Sequence, residues 1–138
     1  MPRFAVFYAG EKRLAVEVSR VAAFVRQLLW TPVPPVKPGL IGVCNWRGEI
    51  CPLVEPGALL GFTGAQGPWA CIVQTPKGKI AVLADQVSGL EQATATPIEE
   101  MGFSGTYQIN GETRFVLSCE ELAKACTVAP EASKEAGG

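Results

Sequence analysis

No histidine occurs in this chain. That removes the usual general base, the usual zinc ligand and the partner of most serine and cysteine nucleophiles. Carboxylates, amines, guanidinium groups and thiols are left to do any chemistry. The five cysteines, Cys44, Cys51, Cys71, Cys119 and Cys126, show no Cys-x-x-Cys spacing. Four of them lie in apolar surroundings, where a free thiol behaves as a small hydrophobe. Asp85 closes the run IAVLAD, a place where aspartate more often ends a strand or caps a turn than acts as an acid. Paired-acid motifs and glycine-rich phosphate loops are missing as well. These residues point to binding without a metal, a cofactor or catalysis.

The cation that asks for an explanation is Arg47, in the stretch IGVCNWRGEICP over residues 41–52. Arg47 and Gly48 sit between two apolar runs that both read as strands, and a core strand has no use for a guanidinium. One reading is a solvated turn. The other is a contact residue, because tryptophan and arginine together are enriched among the anchors of protein interfaces, and Trp46 precedes Arg47. Trp30 and Trp69 read as core or rim residues.

Composition narrows the classes. A chain of 138 residues is most simply one domain, and 48% apolar against 18% charged residues makes it globular with apolar surface to spare. A net charge of −1 without a basic block argues against nucleic-acid binding, which needs concentrated positive charge to displace counterions. The N-terminal run MPRFAVFYAGEKRLAVEV is too short in apolar residues for a signal peptide, and no stretch is built to insert into a membrane. The expected setting is a reducing cytoplasm, with the thiols free.

The elements that would position Arg47 follow from periodicity. Residues 4–8 and 14–18 form a hairpin across AGEK, and residues 21–30 are mainly extended. TPVPPVKPG is a stiff surface loop, a spacer or a polyproline ligand for another domain. The arms 40–45 and 49–54 are strands, with Gly48 suited to a positive φ and Pro52 demoting its arm to an edge or bulged strand. Pro56 and Gly61 bracket a short helix, and FTGAQGP over 62–68 is the expected seam between two halves of the domain. Residues 69–74 and 79–85 are strands across TPKG, with QVSGLEQA continuing the second past a bend. TPIEE starts a helical turn capped by Thr96. Strands at 107–109 and 113–117 flank Asn110-Gly111, where Gly111 is a structural turn residue. Ser118, with Glu121 three residues on, caps a last helix to about Cys126, and 127–138 is a disordered polar tail. Eight or more short strands with frequent turns make an all-β barrel or sandwich.

The motifs IGVCNWRGEICPLVEP, ALLG, IAVLADQVSGL and RFVLSCEELAKA, in that order over residues 4–126, resemble the CheW family, the coupling proteins of bacterial chemosensory arrays. The N-x-R-G-x-I-x-P core and the later A-D-x-V carry the resemblance. It implies an all-β fold of two small five-stranded β-barrels packed as one CheW-like domain over residues 1–126, with short helices. It implies a non-catalytic adaptor in the cytoplasm, at membrane-associated receptor arrays. The implied partners are the regulatory domain of a CheA-type histidine kinase, the cytoplasmic tip of methyl-accepting chemoreceptors, and other CheW-like proteins. It places Val21, Asn45, Trp46, Arg47 and Gly48 in the receptor groove between the barrels.

Three positions depart from the family pattern. Glu55-Pro56 stands where Asp-Leu is usual, Trp46 where a small or aliphatic residue is usual, and Ala23-Phe24 where an acidic residue precedes Ile or Val. The last leaves open which kinase and receptor are served, in a flagellar, pilus or gliding pathway. A small barrel that binds nucleic acid or a peptide is the alternative reading, and a carboxylate- or lysine-based enzyme would need a buried pocket with perturbed acids.

With no histidine and no clustered cysteine ligands, folding should not depend on a metal. A strong chelator should leave the thermal midpoint of the purified protein unchanged, and a fall of more than a few degrees would overturn this reading of the cysteines.

Overall fold

The apolar N-terminal run pairs with the alternating run that follows it, and that hairpin seeds the first of two sheets. A computed structural model describes residues 1–126, so the tail expected at 127–138 lies outside the described residues. The strands are β1 Arg3–Ala9, β2 Lys12–Glu17, β3 Val21–Arg26, β4 Trp30–Pro32, β5 Leu40–Trp46, β6 Glu49–Val54, β7 Trp69–Thr75, β8 Gly78–Ala84, β9 Gln86–Gln92, β10 Thr96–Glu100, β11 Phe103–Ile109 and β12 Glu112–Leu117. Helix α1 covers Pro56–Leu60 and α2 covers Cys119–Cys126, with a single 3-10 turn at Val18–Arg20.

The two sheets have six strands each, in the orders β10-β11-β12-β2-β1-β9 and β4-β5-β6-β8-β7-β3. One order maps onto the other. In both, two hairpins are joined by a parallel pair, β12 with β2 and β6 with β8. The equivalences run between the halves of the chain: β1–β2 matches β7–β8, β3 to β6 match β9 to β12, and each series ends in a short helix. The chain crosses over in each half, so β3 to β6 leave the sheet of β1–β2 and complete that of β7–β8. The connector at 62–68 therefore divides the sequence but not the sheets.

Three clusters of buried side chains stabilise this arrangement. Phe4, Val6, Ala15, Tyr107 and Val116 fill the first sheet. Cys44, Cys51, Leu53, Ala70, Ile72 and Ala81 fill the second. Between them a larger cluster takes Phe7, Leu14 and Val16 from one sheet, Val54, Val73 and Val82 from the other, and Leu122 from α2. Full burial of each such side chain contributes roughly 1.5–3 kcal/mol.

The all-β class and both capped helices are as expected, and four local expectations are corrected. Each sheet has six strands in place of five, because β4 and β10 pair at the edges. TPIEE forms β10, with Pro97 opposite Gly105. The exposed edge of β11 offers a ladder that a lone capping box cannot match, and an edge tolerates proline. QVSGLEQ does not extend β8; after Asp85 it crosses to the other sheet and pairs with β1. Pro52 does not put β6 at an edge, since β6 lies between β5 and β8. Pairing with β8 is confined to Leu53 and Val54, so the position without an N–H falls outside that ladder.

One polar network lies inside the first sheet. Arg114 on β12, with only 8% of its side chain exposed, donates from Nε and Nη2 to the two oxygens of Glu91 on β9, at 3.0 and 2.8 Å. The Tyr107 hydroxyl donates to the same carboxylate at 2.8 Å. Burial alone would raise the Glu91 carboxyl, but the hydrogen bonds from Arg114 and Tyr107 outweigh it and hold the group below its usual value.

Two expectations follow. Asn110 and Gly111 have φ of 52° and 79°, and nothing lies within 4 Å of a Cβ built on Gly111. Gly111→Val should therefore cost only backbone strain, about 1–2 kcal/mol, read as a lowered midpoint in denaturant. A carboxyl depressed by folding adds stability above its unfolded pKa of about 4.3, and that stability is lost as pH falls through the lower folded value. Between about pH 6 and pH 3 the wild-type melting temperature should drop more steeply than that of Glu91→Gln. Parallel curves would show that the network carries no charge-dependent stability.

Candidate docking site

The turn between β5 and β6 has two residues, Arg47 and Gly48, with φ of 51° and 85°. Positive φ at both positions is the hairpin geometry that matches strand twist, and its preferred first residue is asparagine, aspartate or glycine. The Asn45 side-chain oxygen accepts the Gly48 N–H at 2.9 Å, which fixes the turn from inside its own strand. The equivalent turn of the other sheet carries the favoured pair Asn110-Gly111.

Arg47 is exposed and its guanidinium lies 4.8 Å from the centre of the Trp46 ring. Lys79, at the start of β8, places its ammonium 5.9 Å from the same ring and forms an ion pair of 2.8 Å with Glu49. Trp46 itself is half-buried against the cluster of Cys44, Cys51 and Leu53. Among the described residues no carboxylate pairs with Arg47. The nearby acid, Glu49, is engaged by Lys79.

Beside the turn runs a shallow apolar groove of about 290 Å³, lined by Leu29, Trp30, Thr31, Val43, Cys44, Asn45 and Ile50. Leu29 is 88% and Ile50 69% exposed. The Trp30 ring lies so close over Gly42 that any side chain there would strike it. The groove and the turn share Asn45. A cation held on an indole next to an apolar groove can bind an anionic, partly apolar surface.

Nothing in this arrangement activates a nucleophile. Burial pushes the Cys44 thiol up to about 11 and raises that of Cys51. The described residues hold no group of three or more cysteine or acidic side chains placed to bind a metal. No helix among them is long and apolar enough to cross a membrane. Asp85 is a brace: its carboxylate accepts the N–H groups of Gly10 and Gln66 at 2.7 and 2.8 Å.

Asn45, Trp46, Arg47 and Gly48 thus come together in one turn. Val21 does not join them; it is half-buried at the start of β3, against the cluster between the sheets. Glu49, Lys79, Leu29 and Ile50 were not singled out from the sequence. The apolar run before the proline-rich loop was a signal for Leu29, whereas Lys79 reaches Trp46 only because β8 pairs beside β6.

The sequence profile of the CheW-like domain matches residues 3–126. The chain belongs to the CheW-like family. A curated relative, the chemotaxis protein CheW of Thermotoga maritima, is 24% identical over 132 residues, covering 88% of this chain and 87% of the relative. Among solved structures, the scaffolding protein TtCheW from Thermoanaerobacter tengcongensis superposes with a TM-score of 0.74 at 20% identity, over 88% of this chain and 92% of that one. That likeness shows the CheW-like fold.

Proposed function

We propose that this CheW-like protein is a non-catalytic coupling protein of a chemosensory array. It links the regulatory domain of a CheA-type histidine kinase to the cytoplasmic tips of chemoreceptors, working in the cytoplasm at membrane-associated arrays. Family membership over residues 3–126 supports the class of function. The Arg47 turn supports the receptor surface, with Asn45, Trp46 and Gly48 forming it; Val21, on the far edge strand β3, is not part of it.

The observation that carries this reading is the conformation of Arg47. A left-handed backbone costs an ordinary residue roughly 1–2 kcal/mol, and asparagine or glycine much less. The equivalent turn in the other sheet uses asparagine at that position. Among the described residues Arg47 makes no ion pair that would repay the strain. Its exposed guanidinium is therefore free for a partner, where its planar fork can meet a carboxylate or the carbonyls at a helix end.

Binding of purified variants to a receptor-tip fragment and to the kinase regulatory domain tests this. Arg47→Ala should keep its melting temperature and kinase-domain binding, and weaken receptor binding by about tenfold or more, with Arg47→Lys in between. Arg47→Asn should melt at or above wild type and still lose receptor binding. Full receptor binding by Arg47→Ala would reduce Arg47 to a solvated turn residue, and a large fall in its melting temperature would make the guanidinium structural.

A further inference from the structure

The hairpin that presents Arg47 also sets two thiols face to face. Cys44 on β5 and Cys51 on β6 are direct register partners, two pairs in from the turn. Opposed residues of an antiparallel pair have Cα atoms about 4.5–5.5 Å apart, inside the roughly 4.4–6.8 Å that a disulfide accepts. Both side chains enter the same apolar cluster, with Leu53 and Ile72, and both are buried. The other close pair, Cys71 on β7 and Cys119 at the start of α2, has no strand register that aligns the two residues.

We propose that Cys44 and Cys51 are an oxidisable dithiol, closed to a cross-strand disulfide by small-molecule disulfides, and that closure locks the hairpin carrying Arg47. One thiolate attacks a sulfur of the small disulfide, forming a mixed disulfide and releasing one small thiolate. The second cysteine then attacks the protein-bound sulfur, forming the S–S bond and releasing the other. The two protons lost by the cysteines end on the two released thiols, and the small disulfide takes up the two electrons.

Burial sets the pace of this reaction. Desolvation, then the neighbouring Cys51, keep the Cys44 thiol protonated, and burial with the charge of Glu49 does the same for Cys51 against the opposing pull of Lys79. Reaction is therefore slow, and a small disulfide approaches Cys44 from the groove beside β4, which that residue lines. The strand covering Cys44 on its outer side is β4, three exposed residues long, with Trp30 opposite Cys44.

The folded, full-length protein incubated with glutathione disulfide, quenched in acid and weighed intact gives the test. Loss of two hydrogens is expected. Trypsin cuts after Arg47, between the two cysteines, so the peptides flanking that cut should stay joined without reductant and separate with it. The linkage should survive in Cys71→Ala, which shares a tryptic peptide with Cys51, and vanish in Cys44→Ser and Cys51→Ser. The wild-type digest answers the question even where a serine variant fails to fold. Backbone amides of residues 45–50 should exchange more slowly in the oxidised protein. Accumulation of glutathione adducts without ring closure overturns the proposal, as does persistence of the linkage in Cys51→Ser. Unchanged amide exchange overturns the locking.

Discussion

Two carboxylates hold the connector between β6 and β7, and the geometry of both sheets depends on where they hold it. A loop and a short helix leave backbone N–H groups without partners, and burying these unpaired is costly. Glu55 accepts three of them, from Gly57, Ala58 and Ala65, at 2.8–2.9 Å. Asp85 accepts two more, from Gln66 in the connector and Gly10 in the β1–β2 turn. One acid thus starts α1 and anchors the loop, while the other ties the loop to a turn of the opposite sheet. Glycine at 10, 57 and 64 is required by the closeness of these segments, since a Cβ at any of the three would run into the connector backbone or the Glu55 carboxylate. The glutamate side chain has the reach to span both α1 and Ala65.

Features encoded within a few residues were legible in the sequence. Asn110-Gly111 is a turn because of what those residues are, Gly48 marks the turn that Arg47 enters against its own preference, and Pro56 and Gly61 bracket α1 with Gly61 at φ 90°. Ser118 caps α2 by accepting the Glu121 N–H, although the Glu121 carboxylate goes to Gly102 instead of closing the box. The exchange of strands between sheets was not legible, because nothing local tells β3 or β9 which hairpin it will join. The same limit hid half of the docking site. Trp46 and Arg47 announced themselves, but the Lys79–Glu49 pair and the exposed Ile50 depend on long-range pairing.

The two equivalent turns separate the demands of folding from those of binding. Where only the hairpin matters, the chain uses Asn110. Where a partner is proposed to dock, it holds an arginine in a backbone conformation that arginine does not favour, steadied by Trp46 below and Asn45 beside it. Ala23 packs on the same cluster as Trp46 and brings no charge to it. Beside Arg47 the charges of Lys79 and Glu49 are paired with each other.

The crossing of strands between halves has a consequence for synthesis on the ribosome. Neither sheet is complete until the second half of the chain has emerged: the first waits for β9 to β12, the second for β7 and β8. Of the parallel pairs that join the hairpins, β2 with β12 links segments from the two ends of the domain, made far apart in time. Long-range pairing of this kind is slow, and it leaves sheet edges open while it waits. The nascent chain must therefore carry β3 to β6, with the exposed Leu29, Trp30 and Ile50, as an unfinished sheet until translation has passed β8. A fragment ending at the connector would be a chain with two half-sheets and no finished core, so the protein folds as a whole and late.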